Sequence, residues 1–265
     1  MKLSKPWEGK MNCYRYDVWL RAVTAMALAV TLCLSLGAEP AWPIVPGGTP
    51  TFTDPLNMTN TYMPFQLNGV KVFQGSDHGA KTVVVDQYLA ETRNFNWNGT
   101  TVECRVLREV AFEKGELVEI SDNYFAQADD GTVYYFGEVV ENYEDGVVTD
   151  NDGSWLVGGP TLPTDPADAG NDTDPTVFMP ANPEVGDVFK PEDLPGVVDE
   201  TAEVVDVDVR VKVPAGRYED AIKVQETSAL EPGTTFKWYA PGVGVVMEKA
   251  KRERLDLISS TLAVP

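Results

Sequence analysis

Histidine, the side chain best suited to proton transfer near neutral pH, occurs once in this chain, at His78. Ser76 and Asp77 precede it, which supplies the residue types of a hydrolytic relay in consecutive positions. A relay needs three side chains converging from separate parts of a fold, and the flanking Gly75 and Gly79 mark this stretch as a turn. A single histidine also removes the commonest transition-metal ligand; zinc would have to use Cys104, His78 and carboxylates. Calcium suits the composition better. Asp165, Asp168, Asp172 and Asp174, with Asn171, offer oxygen ligands within ten residues, and calcium takes about six to eight oxygens. Their spacing does not follow the EF-hand rule. These four aspartates are the metal candidates and calcium the one cofactor candidate.

Two further residue classes could do chemistry. Acidic side chains are so numerous, 41 in all, that a carboxylate pair across a cleft is always available, and a glycosidase needs no more than that. The sequence gives no means of choosing the pair. Aromatic residues cluster at Tyr124-Phe125 and Tyr134-Tyr135-Phe136. Most belong in a core, but on a curved sheet Tyr124, Tyr134 and Phe136 could line a cavity for an apolar ligand. Cys104 shares a strand face with Val102 and Val106, which reads as a small buried core residue rather than a reactive thiol.

The elements that must position these residues are strands. Turn dipeptides stand at Asn98-Gly99, Lys114-Gly115, Asp130-Gly131 and Asp145-Gly146, with glycines 16, 16 and 15 residues apart. Asn-Gly and Asp-Gly supply the positive φ angles of tight hairpins. The segments between them, 100–113, 116–129 and 132–144, carry β-branched and aromatic residues and no second turn signal. Strands of about 12 residues span roughly 40 Å, and a sheet of them must twist and coil strongly. The expected fold is all-β: a single antiparallel, strongly curved sheet of about 10–11 strands, either a half-barrel or an up-and-down barrel. The alternative splits each segment at an unmarked turn and gives a β-sandwich. Val205, Val207, Val209, Val211 and Val213 alternate with Asp206, Asp208, Arg210 and Lys212, predicting a strand with one face in the core. A turn or two of helix is expected near Glu192 to Ala202.

Three stretches lie outside this pattern. Lys10, Arg15 and Arg21 precede an uncharged run from Ala22 to Leu36, and small residues end at Ala38. That order marks residues 1–38 as a signal peptide, too short in its apolar run for a membrane span of about 20 residues. Residues 39–64 are Pro- and Thr-rich and read as an extended lead-in, and 65–265 form one β domain. Residues 158–182 carry five prolines and the acidic run, and are expected to be irregular. The net charge is −20 over the whole chain; without residues 1–38, 16 basic against 39 acidic side chains leave −23. Such a surface repels nucleic acid and anionic lipid and leaves cations or basic proteins as partners.

The second half carries Val213-Pro214-Ala215-Gly216-Arg217-Tyr218, then Ala221-Ile222-Lys223-Val224, then Trp238-Tyr239-Ala240-Pro241-Gly242-Val243-Gly244-Val245-Val246. With Met179-Pro180-Ala181-Asn182-Pro183 and Gly186-Asp187, this resembles a recurrent pattern of exported bacterial β-sheet proteins, over about residues 65–255. The resemblance implies bacterial export, periplasmic or extracellular, and a sheet similar to the half-barrel of periplasmic lipoprotein carriers. It transfers no activity and no site residues. The expected function is therefore non-enzymatic binding of a hydrophobic small molecule, lipid or peptide on a concave sheet. An interaction role in a periplasmic or cell-surface assembly and a carboxylate-dependent hydrolase are the alternatives.

Overall fold

The computed structural model describes residues 45–230 and 233–262; the signal segment lies outside the described residues. Among the described residues fifteen strands form one sheet. In chain order they are β1 (Val70–Asp77), β2 (Ala80–Trp97), β3 (Thr100–Glu113), β4 (Glu116–Gln127), β5 (Val133–Glu144), β6 (Val147–Asp150), β7 (Trp155–Val157), β8 (Gly170–Asp172), β9 (Thr176–Met179), β10 (Val188–Leu194), β11 (Val198–Val213), β12 (Gly216–Ser228), β13 (Thr235–Ala240), β14 (Gly244–Lys249) and β15 (Glu253–Ser260). The glycine spacing predicts β3, β4 and β5 almost to the residue. Asn98 and Gly99, Lys114 and Gly115, and Asp145 and Gly146 all have positive φ, as two-residue mirror-image turns require. At the fourth turn only Gly131 does, so the β4–β5 connection is a longer turn, closed by the Ala128 N–H donating to Thr132 O.

The strands run in the order β10-β11-β12-β13-β14-β15-β1-β2-β3-β4-β5, and β9 pairs with the far side of β5. This is a nearly closed barrel, not a sandwich: the segments stay unbroken because no turn residue interrupts them. β9 packs against β10 but forms no ladder with it. Pro191 in β10 has no N–H to give, and Pro175 and Pro180 flank β9, which is how proteins blunt a sheet edge. The seam is held by side chains instead, Thr176 Oγ1 donating to Pro191 O at 2.5 Å.

Several expectations need correction. Among the described residues the strand count is 15 rather than 10 or 11; four short strands lie within 147–179, two of which, β8 and β9, fall where an irregular loop was expected over 158–182. One pairing, β7 with β8, is parallel. No helix forms over 192–202. Pro195-Gly196 makes a turn there, with Gly196 at φ 84° and Val197 N–H donating to Leu194 O, so the segment is a hairpin between β10 and β11. A bulge at Val205 leaves Val204 buried and starts the alternation at Val207. The lead-in has no strand over its described part, yet it packs: Phe52 meets Trp97, Tyr134 and Phe136 edge-on, and Met58 and Met63 are buried.

Two apolar clusters result. Phe73, Val84, Ala111, Val213, Val246 and Leu257 belong to one that fills part of the barrel interior. The larger one lies around β2–β5, where the sheet is buried on both faces, β5 running buried from Val133 to Gly137. Gly137 is decisive there. It sits at a bulge in β5, with φ 111°, and a Cβ on it would stand 2.1 Å from Trp155 O. Gly137→Ala is expected to cost about 3 kcal/mol or more, read as a lower urea midpoint at unchanged slope.

Candidate functional site

Alternation along the strands turns half of each into the barrel, and the inward set encloses a cavity of 680 Å³. Phe73, Leu107, Phe125, Tyr135, Val245 and Leu255 give its walls an apolar character. Exposed Glu144, Thr149, Asp152, Asp168 and Gly196 lie where it reaches the surface. Phe125 and Tyr135 stack at 4.7 Å between centroids, and Phe178 of β9 meets both edge-on at 4.7 and 5.7 Å. These three rings form an aromatic wall beside the seam.

Charged side chains occupy inward positions in unusual number. Asp86, Glu109, Glu138, Glu192, Glu226 and Glu248 line the cavity, together with Lys71 and Lys237. Register explains the pairing. Lys71 stands opposite Asp86 and bonds it at 3.0 Å. Lys237 stands opposite Glu248 and bonds Glu226 at 2.7 Å. Burial alone would lower both lysines; Tyr88 and Asp86 hold Lys71 up, and Glu226 and Glu248 hold Lys237 well up. Both ammonium groups stay charged. Asp86 also stands directly opposite Glu109, and like charges in that position destabilise a sheet. The cation that acts on Glu109 is Lys237, which also serves Glu226 and Glu248. Burial first, then the carboxylates of Asp86, Glu119 and Glu248, push its carboxyl well above the usual range, with Lys237 pulling the other way.

Glu138 and Glu192 form a pair of a different kind. Glu138 follows the β5 bulge, Glu192 follows Pro191 in β10, and their carboxyls are hydrogen-bonded to each other across the seam. The Tyr135 hydroxyl lies within hydrogen-bond reach of both Glu138 and Asn123 Oδ1, the latter at 2.5 Å. Burial, then Glu119 and Glu109, raise Glu138 to about 8, while Tyr135 and Glu192 pull the other way. Burial and Glu138 push Glu192 well up. Two acids this close cannot readily both ionise, so the pair holds at least one proton at neutral pH.

The residues singled out in the sequence lie elsewhere. Tyr124, Tyr134 and Phe136 point away from the cavity; Tyr124 and Phe136 pack on Phe95, and Tyr134 and Phe136 on Phe52. Their sequence neighbours Phe125 and Tyr135 face inward. The aspartates are dispersed among separate tasks. Asp165 takes two hydrogen bonds of 2.8 Å from Arg93 and two of 2.7 Å from the Thr161 and Leu162 N–H groups. Burial would raise its carboxyl, but these donors hold it below the usual range. Arg93 in turn lies over the rings of Phe95 and Tyr124 at 4.9 and 4.7 Å, so this contact pins the acidic segment to the outer face of β2. Asp174 accepts from Trp97 Nε1 at 3.0 Å, Asp172 accepts from the Thr173 N–H at 2.6 Å, and Asp168 stands at the cavity rim. Among the described residues no three His, Cys, Asp or Glu side chains converge to hold a metal ion. Cys104 is fully buried and burial pushes its thiol well up. His78 is exposed at the β1–β2 turn and contacts Asp77.

No family model matches this chain, and no curated protein matches its sequence. Among solved structures, one from Bacteroides fragilis NCTC 9343, a protein with a YmcC-like fold inferred to be exported, aligns at 16% identity and a TM-score of 0.41. The alignment covers 76% of this chain and 99% of that one. Among the described residues no helix is long and apolar enough to cross a membrane, which says nothing of strands.

Some of the inward charges interrupt an apolar run, Glu138 after Tyr134-Tyr135-Phe136-Gly137, Lys237 between Phe236 and Trp238, and Glu248 after Val245-Val246-Met247, whereas Glu109 beside Arg108 and Glu192 beside Asp193 have no such setting. For the first three, a charge in an otherwise apolar run was the available signal.

Proposed function

We propose that this chain is an exported, non-enzymatic binding protein whose barrel interior holds a small hydrophobic molecule, a lipid chain or a peptide side chain. The observation that carries this is the cavity: 680 Å³, walled by apolar and aromatic side chains, and reaching the surface. Ligand sites span about 300–1,000 Å³ and combine an apolar lining with a few polar groups. The signal-like N-terminus supports export. Outward Asp206, Asp208, Arg210 and Lys212 on β11 favour a water-facing barrel over a membrane-spanning one, whose outer face is apolar. The test is a dye whose fluorescence rises in apolar surroundings, titrated into the wild type and into Leu107→Trp, which fills the cavity. Saturable binding at one site, abolished by Leu107→Trp with the fold intact, is expected. Equal binding to both proteins puts the dye outside the cavity and removes the proposal's support.

One observation favours a hydrolase as the second reading: the Glu138–Glu192 pair. A directly hydrogen-bonded pair is closer than the roughly 5 Å or more that glycosidases keep between their carboxyls. It is nearer to two acids that share one proton and activate a water. Turnover of a peptide or ester panel that both Glu138→Gln and Glu192→Gln abolish would establish it; no turnover leaves binding.

A further inference from the structure

The inference that goes furthest concerns what the cavity selects, and it rests on the binding reading above. We infer that the barrel interior takes an organic cation, an alkyl- or arylammonium, with its charged head among Glu109, Glu138 and Glu192 and its apolar body along Leu107, Val245 and Leu255.

Three independent features point the same way. The first is an excess of acids over cations. Lys71 bonds Asp86 and Lys237 bonds Glu226. No third cation lines the cavity, so six inward acids share two cations, and Lys237 acts on Glu109 and Glu192 while it also serves Glu226 and Glu248. Glu109 sits opposite Asp86, an arrangement that costs stability in an empty barrel and gains a reason once a cation lies between the strands. Charge placed against local rules is a mark of function rather than packing. The second is the aromatic wall. Phe125, Tyr135 and Phe178 line the cavity beside Glu138, to which Tyr135 is hydrogen-bonded. Aromatic faces beside carboxylates are how proteins hold ammonium groups. The third is the entrance. Its exposed charges, Glu144, Asp152 and Asp168, are all acidic, so the field at the mouth draws cations in and turns anions away. A fatty acid is the wrong charge for this interior.

The alternative is that the interior acids stay protonated and serve as neutral polar lining; an alcohol would then bind as well as an amine. Octylammonium, octanol and octanoate share one tail and differ in the head, which separates the cases. Calorimetric titration of each into the full chain at pH 7 is expected to show octylammonium binding at least about tenfold tighter than octanol, about 1.4 kcal/mol, and octanoate weakest. Glu109→Gln and Glu192→Gln should each bring octylammonium toward octanol and leave octanol unchanged. Two variants guard against a folding defect in either, and far-UV circular dichroism checks both. Octanol binding as tightly as octylammonium, or octanoate binding tightest, overturns the inference and leaves the binding reading standing. A preference for octylammonium that survives in both variants also overturns it, because the charge is then read elsewhere. No binding by any of the three removes the binding reading itself.

Discussion

Lys237→Met is expected to destabilise the barrel by about 3–5 kcal/mol at pH 8, and by clearly less at pH 5. Lys237 and Glu226 are both buried and 2.7 Å apart. Removing the cation strands Glu226 and takes away the charge that offsets Glu248, whose carboxyl burial already pushes well above the usual range. Stranded carboxyls can take up protons, and the free energy of doing so rises with pH. The loss therefore grows between pH 5 and pH 8. Urea denaturation of wild type and variant at both pH values measures it. An equal loss at both pH values would mean that Lys237 contributes through packing of its methylenes, not through charge.

The second large effect is the pH dependence of the wild type. Glu138 is raised to about 8 from an unfolded value of 4.5. An acid raised in the folded state binds more protons there than in the unfolded chain, so stability falls as pH rises. Its contribution is complete below about pH 4.5 and is lost as pH passes through about 8. The shift corresponds to roughly 5 kcal/mol, or on the order of 10 °C in Tm for a domain of this size. Glu192, Glu109 and Glu248, all raised by burial and by other carboxylates, act in the same direction. The surface charge also lowers stability at high pH, so the variant isolates the pair. In Glu138→Gln the Tm difference between pH 5.5 and pH 8.5 should shrink by about half. An unchanged slope would place the pH dependence on the surface.

Local turn chemistry was legible in the sequence, and so was the fold class that follows from it. Asn98-Gly99 and Lys114-Gly115 set the ends of β3, and Asp145-Gly146 the end of β5, because few residues tolerate two positive φ angles in succession. Pro195-Gly196 carried the same kind of signal, and reading 192–202 as helix overlooked it. Closure was not legible, because it depends on β9 reaching β10, whose chain positions are separated by an irregular segment and whose contact is made by side chains. Nor was the facing of the aromatics. The Tyr124 and Tyr135 runs are apolar on consecutive positions, so alternation does not say which ring points inward; the bulge at Gly137 and the packed lead-in decide it. The interior acids are the clearest case. Composition made carboxylates appear interchangeable, and only the register that sets Asp86 opposite Glu109 and brings Glu138 to Glu192 distinguishes them from the solvated majority.

The central claim is that the barrel interior receives a ligand. Methyl NMR during titration with octylammonium tests it most directly. The account predicts shifts confined to the cavity-lining methyls of Leu107, Val118, Val140, Val245 and Leu255, with Val102 and Val106 on the opposite face unmoved. Shifts at the exposed Val147, Val148 and Val185, with the interior methyls silent, would contradict it.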